Sequence, residues 1–586
     1  MMEPPHALHE AMIAVYRSLG FIDEKAEAAL AESWRQLLGH LPKTYWTGDE
    51  PATATIPLYD ALDDCGQAIT DFCLPLLYDC PESLRDLRRK LFDNENRMNK
   101  LSARERRKKH IPAPQERDEE PRELCFLYFR DTPLLEFFNT AINFRIRRAR
   151  FNEHGALFAR SGHGKTRALR AFVAQFLQEP DPPALFIMDS MGSLIDGIDQ
   201  LDAFNTTLRD RLVILDPSRP QFMPRLSFFD LKSDDLCFYL FKAIDQSFTP
   251  RQATMISYLM EYMRQVTSPS ILKLIEVCES AKNLYPDVLP LLSPFARSFF
   301  EKQFYGKGDD LVRQTKGQIA QRLYTLGRLP KFNDIFSASM GVFDPYQHMQ
   351  RKSVVLINTD ARSPDLGGLG EQGSAIFGRY ILAQCLAAAR RRSKHARHLA
   401  LLIVDEFKAY ADEQTGLILS DARQFGMGML LATQQPHQLP EGVRREINTN
   451  TSIRMMGSIE YSIAAQYARD MFCEPEFILG MKSYDYSHAE WATFVQGMDH
   501  AIKVSIPFDA IERMPKGARP PIAANRPSTT TPNETISEGP EVSLPVSEPT
   551  RPATAVEAPP KQKRQLPTAH AKDATSEPLV KPGKEW

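Results

Sequence analysis

A short apolar run, Ala156-Leu157-Phe158, leads directly into Ala159-Arg160-Ser161-Gly162-His163-Gly164-Lys165-Thr166, and a helical pattern with Leu169, Ala171 and Phe172 follows at once. No other feature constrains the chain as much as this order of strand, glycine-bearing loop and helix. The loop approaches the pattern G-x-x-x-x-G-K-[ST], with alanine in place of the first glycine. A compact loop of this kind turns its backbone N–H groups inward, toward phosphate. Gly162 and Gly164 supply the close approach and the positive backbone angles it needs. Lys165 is placed for the β- and γ-phosphates and the Thr166 hydroxyl for Mg²⁺, while the helix start adds its dipole. Ser161, Gly162, His163, Gly164, Lys165 and Thr166 are therefore the expected nucleotide-binding set. A bare G-K-[ST] triplet arises by chance in roughly one chain in five of this length, from average residue usage. The strand before it and the helix behind it make it specific.

Further apolar, β-branched runs occur at Ala184–Met188, Leu212–Leu215, Val354–Ile357, Leu399–Val404 and Met429–Ala432, with helical stretches between them. Continuous apolar strands separated by helices predict a parallel sheet covered on both faces. The expected fold class is thus α/β, a nucleotide-binding core in two parts, 126–233 and 351–514. From 234 to 350 no strand pattern appears, which predicts an all-α insertion. Residues 1–125 read as a mainly helical N-terminal region. Ala492–Gln496 and Ile502–Pro507 read as a terminal hairpin. From 515 to 586 the chain is rich in Pro, Ser, Thr, Ala and Glu with hardly any aromatic residues. Such a segment buries too little apolar surface to offset its ordering entropy and is expected to be a disordered tail. No internal repeat is present.

Two further motifs carry chemistry. Leu401-Leu402-Ile403-Val404-Asp405-Glu406 is a buried strand ending in two acids, the form of a Walker B element. There Asp405 is placed to hold Mg²⁺ and Glu406 to polarise the attacking water. Met429-Leu430-Leu431-Ala432-Thr433-Gln434 puts Gln434 at a strand's carboxyl end, where α/β sheets bind ligands. Acids after a strand also serve as helix caps, and a loop glutamine also caps helices. A phosphate loop upstream on the same sheet favours the catalytic reading of both.

These elements in this order, with Asp421-Ala422-Arg423-Gln424-Phe425-Gly426 before Ala432-Thr433-Gln434-Gln435, resemble the FtsK/HerA superfamily of DNA-pumping ATPases. The stretch 130–510 looks most like the TraD/TraG-like coupling proteins of conjugative type IV secretion. That resemblance implies a RecA-like P-loop core with an all-α insertion, ATP and Mg²⁺ as cofactors, and a homo-oligomeric ring, usually a hexamer, around DNA. It makes Arg423 an arginine finger reaching a neighbour's ATP, and secretion-channel or relaxosome proteins the further partners. Three departures stand out: Ala159, Asp189-Ser190-Met191-Gly192-Ser193 where the family often has D-x-K-G-D, and no membrane-spanning helices where coupling proteins usually begin with them. A soluble variant docked on a membrane complex is one alternative. Others are an ATPase of DNA packaging or phage defence, and a nucleotide-gated adaptor delivering a protein substrate.

The 586 residues carry a net charge of −2, so DNA contact requires local basic patches. Candidates are Arg85–Lys109, the cluster Arg145, Arg147, Arg148 and Arg150, and the cluster Arg390, Arg391, Arg392, Lys394 and Arg397. Glu3 and Glu10 stand where a signal peptide is basic, and no uncharged apolar window reaches the roughly 18 residues of a spanning helix. The expected location is the cytoplasm, peripheral at the inner membrane through partners. Eight cysteines include Cys65, Cys73 and Cys80, too widely spaced for a zinc knuckle, and predict reduced thiols.

Overall fold

The computed structural model describes residues 6–41, 52–62, 64–78, 82–100, 112–229, 249–306, 310–336, 343–362, 364–393, 397–412 and 415–518. Twelve strands among them form one mixed sheet. They are β1 (Ala54–Pro57), β2 (Ala141–Phe144), β3 (Gly155–Phe158), β4 (Ala184–Asp189), β5 (Leu212–Leu215) and β6 (Val354–Asn358). The remainder are β7 (Ala400–Val404), β8 (Met427–Thr433), β9 (Ile453–Met456), β10 (Ser483–Tyr484), β11 (His488–Val495) and β12 (Ile502–Pro507). The order is β2-β1-β12-β11-β9-β3-β8-β7-β4-β6-β5, with β10 beside β11.

The strands from β9 to β5 pair in parallel. Every residue of β3, β4, β6, β7 and β8 is buried. The period-2 alternation divides their side chains between two cores. Phe186, Met188, Leu402 and Val404 face one side with Ile376, Phe377 and Tyr380 of the helix Gly370–Arg390. Leu185, Ile187, Leu401 and Ile403 face the other with Leu169, Phe172 and Phe176 of the helix Lys165–Leu177. The α/β core with a mainly parallel sheet is therefore as the apolar runs predicted.

The antiparallel side differs from the sequence reading. The segment 1–125 holds helices but also β1, which joins β12 at Thr55↔Ser505 and β2 along its whole length. Thr53 Oγ1 donates to the Ala171 carbonyl 2.8 Å away, tying this region to the helix behind the glycine-bearing loop. Between β5 and β6 the described residues contain helices and no strand: Pro250–Gln265, Ile271–Glu279, Pro294–Phe299, Asp310–Gly327 and Phe332–Ile335. Their core is continuous with that of the sheet. Phe336 packs edge-on against Tyr380 at 5.1 Å, and the Tyr380 hydroxyl donates to the Ser227 carbonyl at 2.7 Å.

Of the segment read as a tail, residues 515–518 are bonded to the body: Asp202 N–H donates to Pro515 O and Gly517 N–H to Gln200 O. Residues 519–586 lie outside the described residues, as do Cys80, Cys237, Lys394 and 101–111 of the basic segment. The six described cysteines are unbridged. No helix among the described residues is long and apolar enough to cross a membrane.

Close packing makes the sheet sensitive at one glycine. A Cβ at Gly428, in β8, would meet the Phe151 carbonyl oxygen at 2.1 Å, whereas one at Gly442 would meet nothing within 4 Å. Gly428→Ala is expected to cost about 1–3 kcal/mol in denaturant unfolding. Gly442→Ala, on the helix Glu441–Asn450, is expected to be neutral or stabilising by up to about 1 kcal/mol. Equal effects from the two would contradict this packing.

Candidate nucleotide site

The loop Ala159–Thr166 leaves β3 and enters the helix Lys165–Leu177 through two glycines in left-handed conformations, Gly162 at φ 82° and Gly164 at φ 108°. Alanine is tolerated at the first position because Gly457 lies opposite: a Cβ there would come within 2.7 Å of the Ala159 Cβ. Arg160 N–H donates to Ser458 O at 2.9 Å, so the segment after β9 braces the loop. Nothing in the sequence pattern alone marks Gly457 for this role.

His163, expected to bind nucleotide, turns its ring into the protein instead. The ring is buried edge-on against Trp491 at 4.9 Å. Its Nε2 donates to the Glu490 carbonyl at 2.9 Å and its Nδ1 accepts from Ser458 N–H at 3.3 Å. Those partners assign the neutral tautomer, and burial holds the imidazole pKa below its usual value. Its backbone N–H is bonded within the loop, to Arg160 O. His163 thus anchors the loop to β11.

Lys165 is buried, with Nζ 3.1 Å from the Ala159 carbonyl and 3.9 Å from Glu406 Oε1. Desolvation lowers its pKa, opposed by Glu406 and then Asp405. Thr166 Oγ1 donates to Asp405 Oδ2 at 2.6 Å, and Asp405 Oδ1 accepts the Glu406 N–H at 3.0 Å. Burial pushes the Asp405 carboxyl up to about 6, against the Thr166 hydrogen bond and with Asp189 and Glu406 adding to the rise.

Glu406 has left-handed backbone, φ 49° and ψ 50°. For a residue with a Cβ this costs on the order of 1 kcal/mol. The turn aims its carboxylate at the loop. Oε1 accepts from Gln434 Nε2 at 2.9 Å. Oε2 is buried with no hydrogen-bond partner, its nearest cation being Lys408 Nζ at 3.9 Å. Lys165, Thr166, Asp405, Glu406 and Gln434 are therefore brought together from the carboxyl ends of β3, β7 and β8. A cleft of about 720 Å³ opens beside them, lined by Ser161, Gly162, Gly164, Lys165, Thr166 and Glu406 and also by Asp485, Tyr486, Phe508 and Asp509. Asp405 and the Thr166 hydroxyl are hard oxygen donors that fit Mg²⁺.

The acid at the end of β4 serves the backbone. Asp189 accepts N–H groups from Met191 at 2.8 Å, Leu194 at 2.6 Å and Ile195 at 3.2 Å, shaping the loop that departs from D-x-K-G-D.

Arg423 is not part of this cleft. It lies on the helix Thr415–Gln424, before the amino end of β8, 48% exposed and 3.6 Å from Glu153. Seven residues of β8 separate that edge from Gln434, about 23 Å of strand, beyond the reach of an arginine side chain. Described members of two of the basic clusters make contacts within the chain. Arg145 and Arg148 pair with Glu179, and Arg150 with Glu153. Arg390 pairs with Asp421 and Arg391 with Asp344, while buried Arg392 and Arg397 bond main-chain carbonyls including Gly426 O and Gln424 O.

The buried Asp405 has a stability consequence. Its folded pKa lies above the unfolded value of about 3.9, so its stabilising contribution is complete below about pH 4 and is lost as pH rises through about 6. Asp405→Asn is therefore expected to raise the ligand-free unfolding free energy at pH 8 by about 2–3 kcal/mol and to change little at pH 4. Destabilisation at pH 8 would show that the carboxylate is compensated where it sits.

No family model matches the chain, and no curated protein matches it. Matching solved structures include a plasmid coupling protein TrwB in complex with ADP and Mg²⁺, at 14% identity and TM-score 0.47, covering 64% of this chain and 89% of that one. TrwB with a non-hydrolysable ATP analogue gives the same figures. VirB4 of Thermoanaerobacter pseudethanolicus matches at 11% identity and TM-score 0.40, covering 66% of this chain and 96% of that one.

Proposed function

We propose that this chain hydrolyses ATP and uses the turnover to move DNA, as the coupling ATPase of a conjugative or type IV secretion system. The observation that carries the hydrolase reading is that Lys165, Thr166 and Glu406 line one cleft, with Asp405 hydrogen-bonded to Thr166 and Gln434 to Glu406. In this reading the inward N–H groups and Lys165 hold the phosphates, and Thr166 and Asp405 hold Mg²⁺. The ion, when bound, neutralises charge on the phosphate oxygens. Glu406, with Oε2 free of hydrogen bonds, orients the attacking water, and Gln434 keeps its carboxylate aimed. Arg423 sits too far from its own cleft to act there. Its contribution is therefore made in trans, in a ring of identical subunits. The DNA-moving part rests on the pattern Asp421–Gly426 followed by Ala432–Gln435.

One observation favours a second reading, delivery of a protein substrate. The helical segment after β5 leaves three large apolar side chains, Leu272, Leu291 and Phe295, exposed for a partner to cover.

Hydrolysis measured with and without single- and double-stranded DNA separates the two. DNA is expected to raise the rate several-fold, and Lys165→Ala and Glu406→Gln to abolish it. Hydrolysis indifferent to DNA but raised by a protein substrate would favour delivery, and none under any condition would sink both. Arg423→Ala is expected to lose about 10³-fold or more. Mixing it with Lys165→Ala subunits is expected to restore part of the rate, since intact cleft and intact arginine then meet across an interface. No restoration would exclude action in trans.

A further inference from the structure

The cleft above the glycine-bearing loop is lined by two sets of residues that differ in chemistry. One set is the loop and Glu406; the other is Asp485, Tyr486, Phe508 and Asp509. The second set is unfit for phosphate. Of the cations nearby, Arg167 is spent on the Phe508 carbonyl at 3.1 Å and on Glu512 at 2.8 Å, and Arg513 on Asp509 at 2.8 Å. Glu512 also takes Arg170 at 2.9 Å, and the two aspartates repel anions. What remains there is aromatic surface and hydrogen-bond acceptors.

Tyr486 stands in the turn between β10 and β11 with φ 60° and is 99% exposed. Left-handed backbone at a bulky residue persists where its surroundings impose it. Here Ser487 N–H donates to Tyr484 O at 3.1 Å, and Phe508 N–H donates to Ser487 O at 2.9 Å, which ties the turn to Phe508. The Phe508 ring lies against Gly164, where a Cβ would be 2.7 Å from it. Asp509 Oδ1 is buried without a hydrogen-bond partner while Oδ2 pairs with Arg513 at 2.8 Å.

We propose that this part of the cleft lining is a nucleoside subsite, in which Tyr486 stacks on the base of a nucleoside triphosphate beside the Phe508 ring and Asp509 Oδ1 accepts from a ribose hydroxyl. The proposal rests on reading the loop as a triphosphate site and adds the residue that grips the base. Stacking is non-selective in sequence terms and follows ring area, so a purine is held better than a pyrimidine.

The test compares Mg²⁺-ATP with Mg²⁺-tripolyphosphate, which lacks base and ribose, by equilibrium calorimetry on the full chain. Wild type is expected to bind ATP more tightly than tripolyphosphate. Tyr486→Ala is expected to weaken ATP about ten- to hundredfold and to leave tripolyphosphate unchanged. Tyr486→Phe, which keeps the ring, is expected to bind ATP within about threefold of wild type by the same scale. Lys165→Ala is expected to lose both ligands. Tyr486→Ala binding ATP as wild type does, or weakening both ligands alike, would overturn the subsite while leaving the triphosphate reading standing. Wild type binding neither ligand would overturn the triphosphate reading and the subsite with it.

Discussion

A single 2.6 Å hydrogen bond, from the Thr166 hydroxyl to the Asp405 carboxylate, joins residues 239 positions apart and marks where the halves of the site meet. It exists because β3, β8, β7 and β4 are neighbours in one parallel sheet, whose carboxyl ends all open on the same edge. Burying Asp405 there is costly, and the surroundings offset only part of the cost: burial holds its pKa near 6. An oxygen site destabilised in the ligand-free chain is suited to an incoming cation, which favours the charged form.

The hairpin and its flanks do more than extend the sheet. Glu490 O holds the His163 ring, Phe508 packs against Gly164, and Glu512 takes Arg167 and Arg170. The loop therefore rests on β11 and on the segment after β12 as much as on β3. Through Lys503, 3.5 Å from Glu490, and the β1–β12 pairing, this support continues to the N-terminal region. A change of loop conformation has a physical route toward residues 52–62, through packed strands and main-chain bonds.

Much of this was legible in the sequence, for a definable reason. β3, β4, β6, β7 and β8 are buried on both faces, so each appears as an unbroken apolar run, and acids or amides after such runs stand out. β1, β2 and β9 escaped notice because each has four residues, some half exposed, and because their partners lie far away in the chain. His163 looked like a ligand by its place in the loop; only the fold shows that Trp491 and the Glu490 carbonyl claim its ring. The arginine clusters were legible as charge but not as pairings, because sequence displays charge without the acids and carbonyls that meet it, such as Glu179 and Gly426 O. Gly457 and Phe508, which shape the loop, belong to no local motif.

In the proposed reading, the Ala159 carbonyl holds Lys165 and Asp405 holds Thr166 until a magnesium nucleotide replaces those contacts. A crystal structure with Mg²⁺ and a non-hydrolysable ATP analogue tests it most directly. The expected result has phosphate along Gly162–Thr166, Lys165 Nζ moved from the Ala159 carbonyl to phosphate, and the direct Thr166–Asp405 bond opened. An analogue bound elsewhere, or bound with those two contacts unchanged at 3.1 and 2.6 Å, would contradict it.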